Sequence, residues 1–111
     1  MISMFAINNN KMREWKLNAV EGFLMAVFSE IQKYGAACTE YDKEIYQILD
    51  RQTILKELPT LKSTSAVKRG ILGLERKGII KSISIPDTDY TYTAYLLTEK
   101  GCGWNDHEMV N

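Results

Sequence analysis

Basic side chains are concentrated in one stretch of this 111-residue chain. Residues 59–81 contain one acid, Glu75, and six basic residues: Lys62, Lys68, Arg69, Arg76, Lys77 and Lys81. Lysine and arginine gathered on one surface are the groups that neutralise the phosphates of nucleic acids. The formal net charge of the whole chain is zero, which argues against a protein that coats nucleic acid without regard to sequence. The placement of the charge, rather than its sum, makes this stretch the first candidate binding site.

Residues typical of catalysis or metal binding are few and scattered. His107 is the only histidine and lies in a polar tail beside Asp106 and Glu108, where the local spacing supplies too few ligands for a metal site. Cys102 has no basic group fixed beside it by the sequence, and no glycine-rich phosphate loop follows a predicted strand. We therefore expect no enzyme activity, no catalytic residue, no metal site and no cofactor.

The basic stretch is predicted to form a helix from about Ser63 to Lys77, which Gly78 stops. At about 100° per residue, its apolar side chains fall in one narrow arc, formed by Val67, Ile71 and Leu74. The opposite side consists of Ser65, Arg69, Leu72 and Arg76, and Lys68 and Gly73 flank it; we call these four residues and Lys68 the basic ridge. A helix that is buried along one edge and basic along the other suits the major groove of DNA.

Several features of this helix allow two interpretations. Gly70 and Gly73 serve either close packing inside the domain or, at Gly73, the close approach of a phosphate. Leu72 meets either a thymine methyl group or a protein partner. The arginines of the basic ridge either contact nucleic acid or pair with acids such as Glu75 and Asp50 on a solvated face.

Two further helices and a short strand are predicted before the basic stretch. Asn18 and Glu21 form a capping box at the start of a helix that runs to Tyr34, where Gly35 closes it. Its apolar stripe is expected to be core rather than a ligand pocket: Val20, Phe23, Leu24, Val27, Phe28 and Ile31. Residues 44–49 favour a short strand over a helix. A second helix, from Gln52 to Leu58, is capped by Asp50 or Thr53 and ended by Pro59.

A β-hairpin is predicted after Gly78, where the periodicity becomes alternating. Its strands span residues 79–85 and 90–97, and residues 86–89 form the turn. One face, with Tyr95 and Leu97, is expected to join the core. The other face, with Tyr90, Tyr92 and Leu96, either stabilises the sheet or contacts a partner.

Length and composition predict a single domain over residues 1–111. It is divided into an N-terminal arm (1–17) with a turn at residues 8–10, a core (18–101) and a tail (102–111) anchored by Trp104. Trp15 and Leu17 are expected to cover the edge of the core, and residues 36–42 are expected to be a connection. The chain has no apolar run long enough to span a membrane and no secretory signal. Cys38 and Cys102 therefore favour reduced thiols in the cytoplasm.

The segment LKSTSAVKRGILGLERKGII resembles the recognition helix and first wing strand of winged helix-turn-helix proteins, and YLLTEKG resembles the returning wing strand. The front half, FAINNN followed by WKLNAVEGFLMAVFSEI, is similar to N-terminal domains of phage and plasmid replication proteins and to related phage helix-turn-helix proteins. The resemblance covers about residues 5–101. It implies an α+β winged helix-turn-helix fold, with three main helices, a short strand and a C-terminal β-hairpin wing.

The resemblance also implies binding to double-stranded DNA. It places Ser63, Thr64, Ser65 and Lys68 toward the groove, and Lys62, Arg69 and Arg76 toward phosphates, with Leu72 on the same side. The leading hypothesis is a DNA-binding protein of replication initiation or transcriptional regulation in a phage or mobile element, acting as a homodimer.

The predicted hairpin tip favours an alternative function. It contains Asp87 and Asp89, whereas winged helices that grip DNA often have arginine or lysine at this position. Phosphates would repel these two acids. The alternative is a winged-helix protein-interaction module, such as a replisome adaptor or a phage-encoded inhibitor of a host protein, which contacts its partner through Leu72, Tyr90 and Tyr92.

Overall fold

Pairs of helices and pairs of strands follow one another along the residues that the computed structural model describes, which are 7–30, 37–86, 88–89 and 91–105. In chain order the elements are α1 (Asn9–Glu14), α2 (Ala19–Phe28), β1 (Cys38–Tyr41), β2 (Glu44–Ile48), α3 (Arg51–Glu57), α4 (Thr64–Arg76), β3 (Ile80–Pro86), β4 (Thr91–Leu97) and α5 (Glu99–Cys102). Short 3-10 turns occupy Pro59–Leu61 and Gly103–Asn105. The fold is α+β, with the four strands in one antiparallel sheet.

The capping box predicted at the start of α2 is present. The Asn18 side chain accepts a hydrogen bond from the Glu21 N–H at 2.9 Å, and the Glu21 carboxylate accepts one from the Asn18 N–H at 2.9 Å. The predicted extension of this helix to Tyr34 is wrong, because α2 ends at Phe28. The Glu30 N–H bonds to the Val27 carbonyl three residues back, which tightens the last turn and closes the helix. The rest of the predicted helix, with Ile31 and Gly35, lies outside the described residues.

The predicted turn at residues 8–10 is also wrong, because these residues begin α1. The Asn8 side chain accepts a hydrogen bond from the Lys11 N–H at 3.1 Å, so that Asn8 is an N-cap rather than part of a turn. Trp15 is buried and Leu17 packs against the core, as expected.

The two ends of the described chain pack together around Trp15. The Trp15 and Trp104 rings lie 6.2 Å apart between centroids, and Trp104 is buried as the predicted anchor. The ammonium groups of Lys11 and Lys100 lie 5.5 Å and 5.8 Å from the centroid of the Trp15 ring. The Asn8 side chain donates to the Trp104 carbonyl at 2.7 Å. The described parts of the predicted arm and tail, residues 7–17 and 102–105, therefore form one cluster.

The sheet has the order β1-β2-β4-β3. The predicted short strand and hairpin are present as β2, β3 and β4, but the prediction that residues 36–42 are a connection is wrong. Instead, β1 pairs with β2 through a tight turn at Asp42 and Lys43, whose φ values are 52° and 65°. Positive φ at both central residues defines the hairpin turn that suits twisted strands. Because neither residue is glycine or asparagine, the sequence pattern gave no turn signal.

The strand register divides the sheet residues between two faces. Ile80 lies opposite Leu97 and Ser82 lies opposite Tyr95, on the face that the helices cover. Phe28 of α2 lies 5.0 Å from Tyr95 between ring centroids. The opposite face holds a second apolar set, formed by Ile48, Ile83, Ile85, Tyr92, Ala94 and Leu96.

The helical layer buries nearly the whole circumference of α2. Leu24, Val27 and Phe28 are buried as predicted, but Phe23 is 37% exposed, so its assignment to the core stripe is wrong. The buried surface is rotated because α2 is covered by α4 on one side and by α1 on the other, where Met12 packs against Gly22.

Candidate nucleic-acid interface

The helix that carries the basic ridge, α4, begins and ends as the sequence predicts. Ser63 is the N-cap, and its hydroxyl accepts a hydrogen bond from the Ala66 N–H at 3.2 Å. Lys62, just before it, has a φ of 69°, and Gly78, just after the helix, has a φ of 74°. These two left-handed residues turn the chain sharply at each end. The direction of α4 is therefore set by its own ends as well as by packing.

One side of α4 is buried against α2. Val67, Ile71 and Leu74 are buried, which confirms the predicted apolar arc. Gly70 faces Leu24 and Val20, and a Cβ atom at position 70 would overlap both side chains. A Cβ atom at Gly73 would likewise overlap the Glu21 carboxylate. Close packing inside the domain therefore accounts for both glycines.

Glu21 lies at the centre of this helix contact. It is 3% exposed and accepts hydrogen bonds from the Asn18 N–H and from Lys77 Nζ, the latter at 2.6 Å. Lys77 Nζ also donates to the Lys16 carbonyl at 2.9 Å, and Lys100 Nζ donates to the Lys77 carbonyl at 3.1 Å. Lys77 is thus tied to the domain and is not part of the exposed surface of α4.

Four of the six basic residues in the segment 59–81 have side chains that are available to bind a ligand. Lys81 pairs with Glu44 at 3.4 Å. By contrast, within the part of the chain that the structure describes, no hydrogen bond or ion pair is formed by the exposed side chains of Lys62, Lys68, Arg69 and Arg76.

The two acids considered as partners for these arginines have other roles. Glu75 accepts a hydrogen bond from the Ser82 hydroxyl at 2.8 Å, and Asp50 caps α3 by accepting one from the Gln52 N–H at 3.1 Å. The structure therefore presents an exposed and uncompensated line of positive charge along one side of a well-anchored helix.

The polar residues predicted to face the groove occupy different positions. Ser65 is exposed on the basic ridge, where Leu72 is 40% exposed. Ser63 uses its hydroxyl as the cap acceptor but keeps its proton for donation. Thr64 is half-buried and faces away from the ridge, toward a cleft.

That cleft is lined by a basic side chain, Arg51, that was not predicted to belong to a site. It has a volume of ≈ 800 Å³ and lies between the starts of α3 and α4 and strand β4. Among the residues that line it are Arg51, Thr64, Thr91, Tyr92 and Thr93. Arg51 is the first residue of α3, and only the pairing of β2 with β4 brings it near Thr91 and Thr93. No local signal in the sequence indicates that juxtaposition.

The hairpin residues proposed for a protein contact are only partly described. Tyr92 is 41% exposed on the apolar sheet face that the helices leave uncovered, and Leu96 on the same face is half-buried. Asp89 is exposed near the hairpin tip. Tyr90 and Asp87 lie outside the described residues.

Tyr95 is an ionisable group whose pKa is shifted by its surroundings. Burial raises the pKa of its phenol to about 12, while the positive charge of Arg51 acts in the opposite direction. The core therefore holds the neutral form of this side chain.

Within residues 7–30, 37–86, 88–89 and 91–105, no group of three or more His, Cys, Asp or Glu side chains is arranged to hold a metal ion. Cys38 and Cys102 are exposed free thiols. His107 lies outside the described residues. None of the helices described is long and apolar enough to cross a membrane.

Comparison of the chain with protein-family models, with curated proteins and with solved structures found no match.

Proposed function

We propose that this chain is a winged helix-turn-helix protein that binds double-stranded DNA, with α4 as its recognition helix and the β3–β4 hairpin as its wing. The element order supports this assignment, because a strand, two helices joined by a tight turn and a hairpin follow one another from β2 to β4. The pairing of β2 with β4 also supports it, since this pairing attaches the hairpin to the helical layer.

The observation that carries the proposal is the uncompensated charge of α4. Lys62, Lys68, Arg69 and Arg76 are exposed and unpaired among the described residues, whereas the opposite side of the helix is buried. Four unpaired cations on a rigid support match a surface that offers many phosphates. An ordinary solvated face would be expected to mix both signs of charge.

Each side chain is assigned a role in the proposed complex. Lys62, Arg69 and Arg76 contact phosphates and position the protein, and Lys68, Ser65 and the hydroxyls of Ser63 and Thr64 contact base edges. Because Ser63 also caps the helix and Thr64 faces the cleft, Ser65 and Lys68 are the principal base-reading residues.

The biological role follows from the resemblance of the sequence. We assign the protein to replication initiation or transcriptional regulation in a phage or mobile element, acting in the cytoplasm as a homodimer on a two-fold site. Two-fold symmetry would pair the recognition helices with two half-sites about one helical turn apart.

Salt dependence of DNA binding tests the proposal. We expect the wild-type chain to bind a random-sequence duplex, measured by fluorescence anisotropy between about 50 mM and about 200 mM salt. On a random-sequence duplex Lys68 has no specific base to contact and also neutralises a phosphate, so four cations give a slope of log K against log salt of about −3.6, which is roughly a 100-fold loss of affinity over this range. Lys68→Gln combined with Arg69→Gln should reduce the slope by about 1.8.

A matched control removes two positive charges elsewhere. Arg13→Gln combined with Lys43→Gln changes the net charge equally, on α1 and on the β1–β2 turn. This control should keep the wild-type slope. If the two double variants behave alike, or if wild-type binding does not depend on salt, the ridge is not a DNA-binding surface.

The alternative function is a protein-interaction module, and the exposure of Leu72 and Tyr92 favours it specifically. The apolar sheet face formed by Ile83, Ile85 and Tyr92 would contribute to such a contact. Failure of the wild-type chain to bind any duplex at about 50 mM salt, where electrostatic binding is strong, would favour this function over DNA binding.

A further inference from the structure

An apolar side chain lies on the midline of the basic ridge. At about 100° per residue, Leu72 and Ser65 point within about 20° of each other on α4. Lys68 lies about 40° to one side of Leu72, and Arg76 and Arg69 lie about 40° to 60° to the other side. Leu72 is 40% exposed, so its aliphatic side chain reaches the surface with Lys68 on one side and Arg69 and Arg76 on the other.

This arrangement matches the cross-section of the major groove. The two walls of the groove carry phosphates, and its floor presents base edges. On that floor, the one apolar group of an unmodified duplex is the C5-methyl of thymine. We infer that Leu72 recognises the C5-methyl group of a pyrimidine, and this inference rests on the DNA-binding function proposed above.

A protein partner fits the same surface less well. To cover Leu72, it would have to supply an apolar side chain and, around it, acids for Lys68, Arg69 and Arg76, since buried unpaired charges are unfavourable. Duplex DNA supplies both the methyl group and the flanking negative charges from one regular surface.

The geometry of α4 also predicts where the methyl group lies. Ser65 and Leu72 are seven residues apart, which is about 10.5 Å along the helix axis. With about 3.4 Å of rise per base pair along the duplex axis, this distance corresponds to at most about three base pairs, because a helix lying in the groove is inclined to that axis. The methyl-dependent position should therefore be within about three base pairs of the base that Ser65 contacts.

The test uses the full chain and a duplex selected by the wild-type protein from a randomised pool. Each thymine is replaced in turn by deoxyuridine, which lacks only the C5-methyl group, and the affinity is measured by anisotropy. We expect one replacement to weaken binding about fourfold, the effect of one buried methyl group. In Leu72→Ala the same replacement should change affinity by less than about 1.5-fold.

Three further measurements define the contact. If the sensitive thymine is replaced by cytosine, binding should weaken, and 5-methylcytosine at the same position should restore the methyl-dependent part; failure to restore it would identify a requirement for the thymine O4 instead. Ser65→Ala should relax base preference within about three base pairs of the sensitive thymine. Phe23→Ala removes an exposed apolar side chain of α2, outside the basic ridge, and should retain the fourfold sensitivity.

The outcomes separate this inference from the proposed function. Duplex binding that is insensitive to every deoxyuridine replacement, or sensitivity that persists unchanged in Leu72→Ala, would overturn the role of Leu72 while leaving DNA binding intact. Absence of duplex binding by the wild-type chain would overturn both. A protein partner whose affinity is lost in Leu72→Ala, found together with absent duplex binding, would assign the ridge to the alternative function.

Discussion

Gly73→Ala should destabilise the domain even though alanine is the better helix former. The new Cβ atom would occupy the position of the Glu21 carboxylate, which is held by the Asn18 N–H and by Lys77. In an open helix, replacing glycine by alanine would stabilise by about 1 kcal/mol. The sign of the effect therefore depends on whether Glu21 can move without loss.

The contacts of Glu21 indicate that it cannot. Displacing its carboxylate from the N-cap costs about 1 kcal/mol. Breaking its ion pair leaves a charge that is 3% exposed. Loss of a buried pair costs about 3–5 kcal/mol, but the Lys77 side chain is 31% exposed, so we take about 2 kcal/mol. After subtracting the gain in helix propensity, Gly73→Ala should lower the free energy of unfolding by about 2 kcal/mol.

A double-mutant cycle followed by urea denaturation checks this reasoning. In the Glu21→Ala background the obstacle is absent, so Gly73→Ala should stabilise by about 1 kcal/mol, and the sign of its effect should reverse. An equal loss of stability in both backgrounds would refute the assigned contact. Weakened DNA binding without loss of stability would instead support the close approach of a phosphate at Gly73.

Two further predictions concern the core and the start of α4. The folded domain binds the Tyr95 proton until about pH 12, whereas the unfolded chain releases it near 10.0. The contribution of Tyr95 to the free energy of unfolding should therefore be fully present below pH 10 and should fall by about 3 kcal/mol as the pH approaches 12. Tyr95→Phe should remove this part of the pH dependence. Ser63→Ala removes the cap of α4 and should lower the free energy of unfolding by about 1 kcal/mol, measured by urea denaturation.

A matched variant controls for the effect of the cap. Ser65 is exposed within α4 and caps nothing, so Ser65→Ala should be neutral or slightly stabilising. If Tyr95→Phe retains the full alkaline loss, another group is responsible, and if the two serine variants behave alike, the cap does not stabilise α4.

The spacing of apolar residues and the residues that cap or end helices were sufficient to predict α4 and the elements next to it. Ser63 and Gly78 mark the ends of the helix, and Val67, Ile71 and Leu74 recur at helical spacing, so both its bounds and its buried side followed from local rules. The same holds for the capping box of α2 and for the alternating residues of β3 and β4. These features depend on neighbours within a few positions.

Features that depend on distant contacts were not predictable in this way. The helix α1 has few local signals, and it is stabilised partly by Trp15 packing on Trp104. Strand β1 was missed for a local reason, because Lys43, the second residue of its turn, is of a type that rarely adopts positive φ. The place of Arg51 in the cleft depends on the pairing of β2 with β4. For α1 and for Arg51, the interaction that determines the structure joins residues far apart in the sequence.

The joining of Asn8 to Trp104 has a consequence for how the protein is made. During translation, α4 is synthesised before the segment that packs on Trp15. A nascent chain that lacks residue 104 therefore leaves apolar core surface exposed. Contacts spanning 96 positions also form late, because closing a long loop is entropically unfavourable. The exposed side of α4 would accordingly reach its final geometry only after residue 104 has been synthesised, so a shorter nascent chain would not present that surface.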